Sequence, residues 1–174
     1  GYAGGVLDAV IMRIMDGMFA FPFILLSILL VTILGSGVFN VILAIGIGNV
    51  PRFARVVRSK VMVTKNEEFC NAERILGASS LRIMFSHILP NTFSVLLPAI
   101  TIGFNNAVLA EASMSFLGIG VKPPEVSLGY MMSESQSYMV RAPWYMLTCG
   151  SVIVLLILGV SLVGEGLQQK KWGR

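Results

Sequence analysis

Charge is scarce in this 174-residue sequence: 13% of its residues are Asp, Glu, Lys or Arg, against about 25% in an ordinary soluble domain. With 55% hydrophobic residues and a mean hydropathy of +0.80, the chain is too apolar to face water on most of its surface. The same figures exclude disorder, which needs low hydrophobicity and high net charge. Histidine is nearly absent, with His87 alone, and there are two cysteines, Cys70 and Cys149. That is too few for a zinc site or a disulfide framework, so the cysteines read as small buried filler. No Gly-Lys pair occurs, which rules out a phosphate loop of the G-x-x-x-x-G-K-[ST] kind. No Ser-His-Asp signature is present either. The chain is therefore expected to hold no catalytic, cofactor or metal site and not to be an enzyme; any ATP it uses must be bound by another chain. Gly46-Ile47-Gly48 and Gly118-Ile119-Gly120 read as packing or turn glycines. There is no initiator Met and no signal-peptide pattern at Gly1, so a longer parent protein is expected.

What is present is a series of long uncharged runs. Between Asp16 and Arg52 lie 35 residues without a formal charge, punctuated by Gly35-Ser36-Gly37. A bilayer core takes about 20 apolar residues per helix, so the run predicts a hairpin of two spans, 17–35 and 38–57. Pro22 and Pro51 should bend them. A third span is expected over 83–110, with Pro90 and Pro98 inside it, and a fourth over 143–164. The fold class is all-α: a polytopic membrane helix bundle of about four spans. Bases flank these spans instead of forming a stripe among stacking aromatics, so the net charge of +4 points to a lipid bilayer and not to nucleic acid. Seven Lys or Arg lie within 52–82, three in the tail (Lys170, Lys171, Arg174), and Arg13 precedes the first span. Together they make eleven of the 13, all on one side if four spans alternate. By the excess of bases in short loops, loop 58–82 and both chain ends are cytoplasmic.

Loop 58–82 is patterned beyond the needs of a connector. Asn66 can cap a helix whose first turn, Glu67 and Glu68, suits the helix dipole. Phe69, Ala72 and Leu76 then fall on one stripe. Gly77 fits a left-handed stop just past the end, and Ser79 or Ser80 can start the next helix. The stripe either packs on this chain's own helices or docks on a partner; the residues alone leave both open.

The run Asn71-Ala72-Glu73-Arg74-Ile75-Leu76-Gly77-Ala78-Ser79, followed by His87-Ile88-Leu89-Pro90-Asn91, resembles the EAA loop of ABC importer permeases. It is most similar to the C-type subunit of the dipeptide, oligopeptide and nickel family. Gly1-Tyr2-Ala3-Gly4-Gly5, Ala20-Phe21-Pro22, Pro51-Arg52-Phe53-Ala54-Arg55, Glu111-Ala112-Ser113-Met114-Ser115-Phe116-Leu117-Gly118, Pro143-Trp144 and Gly164-Glu165-Gly166-Leu167 extend the match over the whole chain. Two departures stand out. Asn71 replaces the Glu that opens the family's triplet, and Glu73 stands where the family prefers Ala.

The resemblance implies a type I importer permease domain over 1–174, from a longer protein with further upstream spans, in the bacterial plasma (inner) membrane. It implies half of a translocation pathway for peptides or nickel chelates. The partners would be a homologous permease subunit, two cytoplasmic ATPase subunits and an extracytoplasmic substrate-binding protein. The coupling helix would lie at about 67–77, with Phe69, Asn71, Ala72, Glu73, Arg74, Leu76 and Gly77 meeting one ATPase. Glu111 sits near the outer end of a span, where a carboxylate is costly unless paired or wet; it is expected either to line the pathway or to pair with the other permease. The rival readings are a secondary transporter or channel subunit, which would want more intramembrane charge than His87 and Glu111 supply, and a non-functional permease fragment. Dipeptide, oligopeptide, nickel chelate and glutathione are not distinguishable as substrates.

Overall fold

A computed structural model describes residues 1, 2 and 4–172, the side chains of 170–172 excepted. Ala3, Arg174 and the side chains of Lys170 and Lys171, used in the expectations above, lie outside the described residues. Helices α1 (Gly5–Phe19), α2 (Phe23–Leu34), α3 (Val38–Thr64) and α4 (Glu68–Ile75) follow in order. α5 (Ser80–Arg82) then passes through a π-helical turn, Ile83–Ile88, directly into α6 (Leu89–Phe116). α7 (Leu128–Ser135) and α8 (Pro143–Trp172) complete the chain. No strand occurs among the described residues.

Three helical stretches are long and apolar enough to cross a bilayer: Val38–Thr64, Ser80–Phe116 and Pro143–Gln169. Each overruns its expected limits, because a helix continues past the apolar core wherever its backbone finds no breaker. The first expected span differs more. It is not one helix over 17–35, since α1 and α2 meet at 91° across Ala20-Phe21-Pro22. Proline cannot continue a helix from the residue before it, and here Pro22 is the N-cap of α2. The 12 residues of α2 reach only about 18 Å, short of the roughly 30 Å hydrocarbon layer. A fourth crossing therefore exists only as the bent pair.

The turn between α2 and α3 uses Gly35 and Gly37 at φ of 90° and 135°, conformations that suit glycine. Asn40 donates its side-chain amide to the Leu34 carbonyl at 2.8 Å, satisfying the end of α2. One core joins Val31 of α2, Val41, Ala44 and Ile45 of α3, Ala110 and Met114 of α6, and Val121 beyond it. A second, smaller one joins Cys70, Ile83 and Ile88 beneath α4. α6 is the central helix and touches its neighbours through small residues: Gly103 lies under Phe53 of α3, and Gly164 of α8 lies against Thr101. Asn105 donates to Ser161 of α8 at 2.8 Å. Close approach at small residues and interhelical hydrogen bonds replace the hydrophobic effect inside a bilayer.

α1 is bound to the basic half of α3 by charge. Arg58 makes a forked contact with Asp8, at 2.8 and 2.9 Å. Arg55 reaches Asp16 at 2.8 Å and lies over the Phe19 ring at 3.9 Å. The two acids are eight residues apart and their arginines three. By rise per residue that is about 12 Å against about 4.5 Å, so α1 crosses α3 obliquely. Val6, Leu7, Val10 and Ile14 point outward from it.

Candidate functional site

The segment after α3 is built by two local signals. Glu67, in extended conformation, is the N-cap of α4 and has no side-chain cap bond. The expected cap, Asn66, is engaged elsewhere: its amide donates to the Met62 carbonyl at 3.2 Å, closing the end of α3 instead of opening α4. At the far end Gly77 has φ 82°. Its N–H donates to the Arg74 carbonyl at 3.1 Å and that of Ala78 to the Glu73 carbonyl at 3.0 Å. These are the paired bonds of a glycine-terminated helix stop. Ser79 caps the next helix, accepting from the Arg82 N–H at 3.3 Å. The gap between α3 and α6 is thus filled by one short, sharply bounded helix.

The expected stripe of α4 divides between two faces. Cys70 is fully buried against Ile83 and Ile88, with the half-buried Phe69 beside it. Burial pushes the Cys70 thiol above its ordinary range, so it is packing and not chemistry. Ala72, with Ile75 at 87% and Leu76 at 81% exposure, faces outward. Leu81 and Phe85, also exposed, follow in the adjoining helix. A row counted from Phe69 leaves Ile75 out. Ala72, Ile75 and Leu76 form an equally helical i, i+3, i+4 row, and only the burial of Cys70 decides which row faces in.

The polar residues of α4 are tied to its surroundings. Arg74 donates to the Lys65 carbonyl at 3.3 Å and to the exposed Asn71 side chain at 3.1 Å, and its guanidinium stands 6.0 Å from the Tyr2 ring. Half-buried Glu73 lies 3.5 Å from His87 in the π-helical turn, and the His87 ring is 6.3 Å from that of Phe69. Glu73 thus meets the π-helical turn that leads into α6, while Asn71 accepts from Arg74.

Glu111 lies far from this patch, about 33 Å along the axis from Leu89. Ser115 donates its hydroxyl to the Glu111 carboxylate at 2.7 Å, and the Val121 N–H donates to Ser115 at 3.0 Å. The carboxylate therefore anchors the turn after α6. It also borders a concave, almost wholly apolar groove between α3 and α6, with a volume of about 1010 Å³. Val41, Phe53, Ile100, Phe104 and Ile153 contribute to the lining, and Asn49 adds one amide. No group of three or more His, Cys, Asp or Glu suited to a metal occurs among the described residues.

The family model for the binding-protein-dependent transport system inner membrane component matches residues 1–172. The chain belongs to this permease family. It is 44% identical over 168 residues to the dipeptide transport system permease protein DppC of Alkalihalophilus pseudofirmus, covering 97% of this chain and 55% of that one. For DppC of Haemophilus influenzae the identity is 42% over 168 residues, covering 97% and 57%. The glutathione transport system permease protein GsiD of Salmonella typhimurium is 44% identical over 161 residues, covering 92% and 53%. The chain spans about half the length of the curated relatives it matches. For a permease of this family, the three long apolar stretches Val38–Thr64, Ser80–Phe116 and Pro143–Gln169 are membrane helices.

Proposed function

We propose that the protein is the membrane subunit of an ATP-driven peptide importer, forming half of the translocation pathway and receiving ATPase movements through α4. The observation that carries this reading is the exposed apolar patch of Ala72, Ile75 and Leu76 on a helix that is sharply bounded at both ends. Burying Ile75 and Leu76 in a partner groove would contribute about 1.5–3 kcal/mol each, a substantial part of what holds a docked subunit. Dipeptide and glutathione permeases among the relatives support short peptides as the substrate class over nickel chelates.

The bases of 52–82 set loop 58–82 on the cytoplasmic side, where soluble ATPases are. The largely apolar groove beside Glu111 is unsuited to a peptide's charges. Glu111 is therefore a residue of helix packing and subunit pairing, with its carboxylate partly satisfied by Ser115. A pathway with few polar walls in this chain is completed between two different permeases.

A tagged full-length gene product, expressed with its neighbouring genes, is expected to co-purify with a second, homologous permease, two ATPase chains and, with substrate present, a binding protein. Peptide transport by this chain reconstituted with ATPases alone would overturn the two-permease reading.

A further inference from the structure

Two polar links join α4 to the spans. Arg74 reaches the Lys65 carbonyl at the end of α3, a backbone group that any sequence would offer. Glu73 reaches His87, a contact that needs these two side chains. We propose that Glu73 and His87 form a clasp that positions α4 on the foot of α6 and passes its displacement into that span. This rests on the reading of α4 as the ATPase-coupling helix.

Three observations carry it. The clasp spans the junction between α4 and the α6 column, with Nε2 and Oε1 3.5 Å apart and both side chains about one-third exposed. It lies beside the apolar contact of Cys70 with Ile83 and Ile88. Apolar contact resists separation of α4 from α6, but it is non-directional and permits sliding; a polar pair fixes the register. Finally, His87 belongs to the π-helical turn Ile83–Ile88. Such a turn is a wider, less regular stretch of helix, found often where a helix must adjust. Pro90 explains its place, because the missing N–H and the proline ring disturb the turn before it. A pull on Glu73 therefore acts on the π-helical turn that leads into α6, not on the regular helix beyond it. Asn71, which stands where the family's acid would be, turns to Arg74 and leaves the α4–α6 link to Glu73.

Glu73→Ala and His87→Ala test the clasp in the full-length protein, within the assembled complex. The docking face of α4 is untouched, so the ATPases should be recovered at the parental level. Stimulation of ATP hydrolysis by a binding protein supplied with a mixed di- and tripeptide library should fall by up to about fivefold, the upper end for a partly exposed pair. The double variant should lose no more than either single one, and the exchanged pair Glu73→His with His87→Glu should recover most of the stimulation. Full stimulation in both single variants, or losses that multiply in the double variant, would overturn the clasp. The parent reading fails separately: if Leu76→Arg leaves the ATPases attached and stimulated, α4 is not the coupling helix, whatever the clasp variants do.

Discussion

Replacing Leu76 with Arg is expected to reduce recovery of the ATPase chains with the purified complex by about tenfold or more, while membrane insertion stays normal. Leu76 is 81% exposed and outside every helix able to span a bilayer, so nothing within this chain should suffer. The loss comes from a leucine no longer buried in the partner, about 1.5–3 kcal/mol, and each 1.4 kcal/mol is a factor of ten. The guanidinium adds to this if it is taken out of water without a partner. Ala72→Arg should act in the same direction by blocking close approach. Gly77→Val should weaken α4 itself, because a β-branched side chain at φ 82° is strained. Glu73→Gln, which keeps an acceptor toward His87, should have much the smallest effect of the four. Quantitative blotting of co-purified ATPase against permease reads all of them.

The second large effect is expected at a glycine with no role in coupling. In Gly129→Ala the new Cβ would stand 2.4 Å from the Ala112 carbonyl oxygen and 2.7 Å from its Cα. Both are backbone atoms of α6 and cannot rotate away, so α7 must lift off. Overpacking of this kind costs about 1–3 kcal/mol and sometimes more. It should appear as a lower unfolding temperature in detergent and a lower yield from membranes. Ala112 is next to Glu111, and Ser127 borders the same groove, so the C-terminal end of α6 is disturbed as well. Gly150→Ala is the control: no atom lies within 4 Å of a Cβ there, and alanine is the better helix former by about 1 kcal/mol. A Gly129→Ala protein as stable as this control would mean that α7 does not pack on α6 as described.

Much of this was legible in the sequence because the bilayer leaves so few options. Uncharged runs must be helices, so helices over 38–57, 83–110 and 143–164 could be expected from composition, though not their charged extensions to 64, 80, 116 and 172. The 91° bend at Ala20-Phe21-Pro22 was not. Pro22 was visible as a bend, but many membrane helices tolerate proline. The direction α1 takes from that break is held by Asp8–Arg58 and Asp16–Arg55, contacts between residues 50 and 39 positions apart. No local pattern announces such pairs. Around α4, Gly77 and Ser79 were readable because stops and caps are local chemistry. Asn66 was misassigned because its amide can serve the helix behind it as well as the one ahead. The inward face of α4 depended on Cys70, whose burial comes from Ile83 and Ile88 on a later element.

Glu73 shows the same limit. By spacing alone it was one charge in an exposed loop; its reach to His87 depends on the return of the chain through the Gly77 stop. Glu111 gave the reverse case. Its cost in a span was plain from the sequence, while the hydroxyl that meets it, Ser115, lies only one helical turn away.

The central claim is that α4 is the surface on which an ATPase sits. The most direct test is a single cysteine at position 76, in a full-length protein whose Cys70 and Cys149 are replaced by serine or alanine, assembled with its ATPases in membrane vesicles. A short bifunctional thiol reagent should join position 76 to an engineered cysteine in the ATPase, and added ATP should change the yield. A membrane-impermeant thiol reagent should reach position 76 only from the cytoplasmic face, and only when the ATPases have been stripped away. Labelling from the outer face, or unhindered labelling in a complex that still imports peptide, would contradict the account.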